Sequence, residues 1–120
     1  MKKVTARGAA LQPAAALREL DLDRMRESAH RACELLKALA NESRLMVLCQ
    51  LAQGEATVTA LQATVGLSQS ALSQHLAVLR ELGYVEARRS GRSVYYGLKS
   101  PEAAAVIRTL YQEFCEPDCG

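Results

Sequence analysis

Residues 57–83 read TVTALQATVGLSQSALSQHLAVLRELG, and the fold turns on how this stretch divides. Gly66 can stop a first short helix, capped by Thr57 or Thr59, because glycine tolerates the left-handed backbone that ends helices. A threonine hydroxyl, in turn, accepts from the unpaired amides that begin them. Ser68 is placed to cap a second helix, which Gly83 terminates. Two short helices around a glycine-containing turn make a helix-turn-helix. At helical spacing Leu72, Leu76 and Leu79 gather on one side of the second helix, with Gln69, Ser70, Ser73, Gln74 and Ala77 on the other.

That second face carries an unusual composition. No Asp, Glu, Lys or Arg stands between Ser68 and Leu79. A face that only meets water normally carries Glu and Lys, whereas serine costs roughly 0.5 kcal/mol per helical position relative to alanine. Small hydrogen-bonding side chains let a helix approach base edges closely: Gln can pair with adenine, and Ser can donate or accept. Cations flank this face, with Arg80 at the helix end and Arg88, Arg89, Arg92 and Lys99 in or near the segment that follows. Neutral groups that read bases beside cations that hold phosphate are what double-stranded DNA requires. The plain alternative is a helical domain with a Ser-rich helix and a solvated basic hairpin. His75 points toward Ala71, Leu79 and Leu82, so packing suits it better than a base contact.

Outward from this centre, YVEARR, the turn SGR and SVYYGL read as two strands around a hairpin at Gly91. Pro101 suits the first turn of a last helix running through EAAAVIRTLYQEFC toward Pro117. Upstream, SAHRACELLKALA places Ala29, Ala32, Cys33, Leu36 and Ala40 on one helical face. Asn41 then opens ESRLMVLCQLAQG, where Leu45, Leu48, Cys49 and Ala52 form a stripe. The fold class expected is mainly α (α+β): a winged helix-turn-helix with a two-stranded wing. Its expected boundaries are an arm over 1–27, partly disordered and with a stretch between Pro13 and Asp23 that can form a short helix; the DNA-binding and dimerisation domain over 28–115; and a tail over 116–120.

The 120 residues allow one domain plus an arm, and the formal charge of +2 decides nothing by itself. No stretch reaches the roughly 18 apolar residues a membrane span needs, and Arg7, Gln12, Pro13 and Arg18 break the apolar run at the start. A cytoplasmic protein is expected, in which the four cysteines are reduced and serve as core filler, metal ligands or redox sensors. One recognition helix reads few base pairs, so a homodimer with two-fold related helices is expected. The last helix offers Ala103, Val106, Ile107, Leu110 and Phe114 as its seam, unless that stripe only covers the chain's own core. An enzyme is not expected: there is no CxxC and no Gly-rich phosphate loop. An architectural DNA protein without sequence preference is a further class to separate by footprinting.

The stretches LKAL and ESRL, the helix LSQSALSQHLAVLRELG and the wing RRSGRSVYYGL together resemble the winged-helix ArsR/SmtB family of bacterial repressors. The resemblance covers about residues 28 to 115. It implies homodimers that bind pseudo-palindromic operators and release them when an effector binds. It places Gln69, Ser70, Ser73 and Gln74 in the major groove, and Arg89 and Arg92 on the wing.

Three effector chemistries follow from the resemblance. An arsenic-type site needs cysteines in the helix before the recognition helix, where TVTALQATVG has none. A zinc-type site needs histidine in the last helix, which has none. The third is a thiol pair, one in RLMVLC and one in YQEFC, as in the sulfide- and persulfide-responsive branch (the SqrR, BigR and HlyU type). That likeness implies that Cys49 and Cys115 become joined by a disulfide or polysulfide under reactive sulfur species, with no resident cofactor. Cys33 and Cys119 exceed a two-thiol pattern. The alternative is therefore a thiolate trap for As(III), Cd(II) or Pb(II) that uses Cys115 and Cys119 with one helix thiol.

Overall fold

The structure is a computed structural model that describes residues 19–116. The arm before residue 19 and the tail cysteine Cys119 lie outside the described residues. So does most of the short helix expected between Pro13 and Asp23.

Within that range the order is α1 (Leu22–Leu39), α2 (Glu42–Ala52), α3 (Val58–Val65), α4 (Gln69–Glu81), β1 (Val85–Ser90), β2 (Ser93–Leu98) and α5 (Pro101–Phe114). The chain divides into two units, one up to Glu34 and one from Leu35 onward, with α1 crossing the division. In the first unit the Asp21 carboxylate accepts from the amides of Asp23 and Arg24 at 3.0 and 3.3 Å, which starts α1. Arg26 and Asp23 pair on its exposed side.

The second unit holds the core: Leu35, Ala38 and Leu39 of α1, Val47, Leu48 and Leu51 of α2, Leu61 of α3, Leu72, Leu76 and Leu79 of α4, with Ala56, Val85, Ala103 and Ile107. The helices start where the sequence supplies an acceptor. Asn41, Thr57, Ser68 and Ser100 each take an amide three residues on. Gly66 ends α3 at φ 81°, and Gly83 follows α4 at φ 88°. Arg44 of α2 reaches back to the Ala38 and Lys37 carbonyls at 2.9 and 3.1 Å, placing a cation on the C-terminal end of α1.

β1 and β2 pair antiparallel, from Val85 with Leu98 to Ser90 with Ser93, around the two-residue loop Gly91–Arg92. Gly91 sits at φ 63° while Arg92 keeps a negative φ, the pattern of a turn whose first central residue is glycine. Ala56, in the loop after α2, exchanges two backbone hydrogen bonds with Tyr96, 3.0 and 2.8 Å, and adds a short third rung to the wing.

Three expected stripes are corrected. On α1 the core face is Leu35, Ala38 and Leu39. Of the expected stripe, Ala29 and Ala32 are half-buried, while Cys33, Leu36 and Ala40 are exposed. Both faces have helical spacing, so spacing alone could not choose between them. On α2 the buried residues are Val47, Leu48 and Leu51; Leu45 and Cys49 are half-buried against this core and Ala52 is exposed. On α5 the stripe divides: Ala103 and Ile107 are buried in the chain's own core with Val106 against it, while Phe114 stays 73% exposed. The helix ends at Phe114, with Cys115 as its cap, short of Pro117.

Candidate nucleic-acid interface and thiol pair

The core and the outer face of α4 are set by the same alternation. Leu72, Leu76 and Leu79 are fully buried against the rest of the core. That seating turns Gln69, Ser70, Ser73, Gln74 and Ala77 outward, and all five are exposed. α4 packs on both α3 and β1. His75 is half-buried, as its position between the two faces suggests.

Strand alternation sorts the wing arginines. Arg89 shares a face with Val85 and Ala87 but lies beyond the core, exposed; Arg92 is exposed at the turn. Arg88 falls on the opposite face, with Tyr95 and Gly97. There its guanidinium is taken by Glu55: Nε and Nη2 donate to the two carboxylate oxygens at 3.3 and 2.7 Å. The Arg88 guanidinium also lies over the Tyr95 ring, 5.1 Å from its centre. The hydrogen bonds from Arg88 hold the Glu55 carboxyl below its ordinary range. Of the cations grouped together on sequence, then, Arg88 is engaged within the chain. The sequence between Ala87 and Ser100 has no acid, but the fold brings one in from the loop after α2.

Sequence reasoning missed Glu55, because 33 residues separate it from its partner. One signal was present: Gly97 inside a strand marks a close approach of something else. A Cβ there would stand 3.3 Å from Glu55 Cγ.

Cys49 and Cys115 stand on α2 and at the end of α5, two helices that pack together. Both are free thiols, Cys49 half-buried and Cys115 exposed. Burial pushes the Cys49 thiol above its ordinary range, and the charge of a deprotonated Cys115 adds to the effect. Cys33 is exposed on α1. Among the described residues no three His, Cys, Asp or Glu side chains cluster as metal ligands. No described helix is long and apolar enough to cross a membrane.

Comparison with known proteins agrees with the fold. The family model described as "Bacterial regulatory protein, arsR family" matches residues 41–87, which run from the cap of α2 into β1. A biofilm growth-associated repressor of Agrobacterium fabrum is 44% identical over 100 residues, covering 83% of this chain and 86% of that protein. The transcriptional activator HlyU of Vibrio cholerae is 44% identical over 97 residues, covering 81% and 90%. The crystal structure of the transcriptional repressor BigR from Xylella fastidiosa superposes with a TM-score of 0.77 at 39% identity, covering 81% of this chain and 99% of that one. The chain therefore belongs to the arsR family of bacterial regulatory proteins and is a winged-helix transcription regulator, not an enzyme.

Proposed function

We propose that the protein is a cytoplasmic homodimeric repressor that releases operator DNA when Cys49 and Cys115 are joined through sulfur by sulfide-derived persulfides. The observation that carries the reading is that a half-buried Cys49 on α2 and an exposed Cys115 at the end of α5 stand on two helices that pack together.

The chemistry needs no metal. The exposed Cys115 thiolate attacks the sulfane sulfur of a persulfide, gaining that sulfur as Cys115–S–SH and releasing the donor's thiol. The Cys49 sulfur then attacks the Cys115 sulfur; a disulfide forms and hydrosulfide leaves, carrying the electron pair. If both thiols are persulfidated first, the same displacement leaves one extra sulfur in the bridge. Tying α2 to α5 repacks helices that also support the DNA-reading elements.

In this reading Gln69, Ser70, Ser73 and Gln74 contact base edges while Arg89 and Arg92 hold phosphate. Residues 28–115 form the DNA-binding and dimerisation domain. The exposed apolar side chains Tyr111 and Phe114 of α5 support a second copy as the partner. The relatives include one named a repressor and one named an activator. Repression gives the simpler switch, because DNA occupancy is lost on the signal. The test is operator release by a persulfide donor. Wild-type protein should lose affinity, while Cys49→Ser and Cys115→Ser bind as before and fail to release. A double variant that still releases normally rejects the mechanism. Release by stoichiometric As(III) or Cd(II) under reducing conditions would point instead to the thiolate trap.

A further inference from the structure

The loop after α2 is fastened to the wing at three points. Ala56 exchanges two backbone hydrogen bonds with Tyr96, the Glu55 chain lies over Gly97, and the Glu55 carboxylate accepts from two of the three guanidinium nitrogens of Arg88, Nε and Nη2. Gly97 is buried, and a Cβ there would stand 3.3 Å from Glu55 Cγ, so a side chain would crowd Glu55 at this point. Tyr95, the cross-strand partner of Arg88, stacks on the guanidinium and holds it in line with the carboxylate. Planar two-point pairing of this kind fixes direction as well as distance. The loop is also the direct continuation of α2, the helix that carries Cys49.

We propose that Arg88 is a positioning residue for DNA binding: with Glu55 and Tyr95 it forms a latch that sets the wing's orientation relative to α2, and it does not contact phosphate. The wing's free cations, Arg89 and Arg92, are thereby presented at a fixed angle to the outer face of α4. The inference rests on the reading of the wing as a DNA-contacting element. It extends that reading by giving the end of α2 a mechanical link to the wing.

Removing the acid separates the latch from a masked phosphate contact, because the two assign it opposite signs. The probes are a duplex enriched from random sequence by the wild-type full-length protein, and an unselected duplex of the same length. Affinity is measured for Glu55→Gln, Arg88→Gln and the double variant across a range of salt concentrations. A latch predicts that each single change weakens binding to the enriched duplex by about threefold to tenfold, as two exposed ion pairs per dimer allow. It also predicts that the salt dependence keeps its slope, and that the double variant is no weaker than the worse single one. The proposal is overturned if Glu55→Gln tightens binding while Arg88→Gln lowers the slope by about two ions, one per protomer, the mark of a phosphate contact. It is equally overturned if the two losses multiply, or if neither change alters affinity. Wild-type protein that enriches no duplex at all would contradict the DNA reading of the wing, and the latch with it.

Discussion

At the scale of single residues, the two thiols proposed as a sensing pair differ in the way a two-step reaction needs. Cys49 is kept protonated first by burial and then by the charge a deprotonated Cys115 would bring. Only the thiolate attacks, so the exposed Cys115 should react first and Cys49 second. Iodoacetamide labelling followed by peptide mass analysis checks the order: Cys115 should be modified several times faster near neutral pH. The sign for Cys49 follows from its raised pKa, so its labelling should accelerate only above the ordinary thiol range. In Cys115→Ser the second cause is gone, and that acceleration should move to lower pH. Equal rates at all pH values would contradict the assignment. The residue scale is also where sequence was least informative. Cys33 and Cys49 both sit in apolar-looking stripes, yet one is exposed and the other half-buried. Which of two helical faces meets the core depends on partners that lie elsewhere in the chain.

At the scale of elements, the helix-turn-helix and wing were legible because local chemistry sets them. Thr57, Ser68 and Ser100 cap, Gly66 and Gly83 stop, and Gly91 turns, each for a reason contained within a few residues. The partition of α4 into a Leu face and a Ser/Gln face was legible too, since one helix carries both. What the sequence hid was contact across distance, such as Glu55 on Arg88 or Arg44 on the end of α1. The division of labour between reading and holding makes a prediction here. Gln69→Ala or Gln74→Ala should cost about 1–3 kcal/mol at preferred sites and little on unrelated duplexes. Arg89→Ala or Arg92→Ala should weaken every sequence and reduce the salt slope by about two for each variant, one contact per protomer. Fluorescence anisotropy on the two classes of duplex separates them; equal losses on both from all four variants would argue against the division.

For the whole molecule, a two-fold assembly would place two α4 helices on successive major-groove faces. The apolar side chains left outside the core speak to how that assembly forms. Phe114 is 73% exposed and Tyr111 56%, beyond what the chain's own packing explains. Phe114→Asp should therefore shift the protein from dimer toward monomer in sedimentation and weaken operator binding in parallel. An unchanged dimer would place the seam elsewhere. If the wing latch and the thiol pair both act through α2, closing the pair alters two things at once: the spacing of the recognition helices and the angle of the wing. The most direct measurement is made on a single preparation treated with a persulfide donor, in which operator affinity and the masses of its proteolytic peptides are followed together. The account predicts that affinity falls in step with a linked peptide pair containing Cys49 and Cys115, joined directly or through added sulfur. Loss of affinity with these two cysteines still unlinked, or linkage with affinity intact, would contradict it.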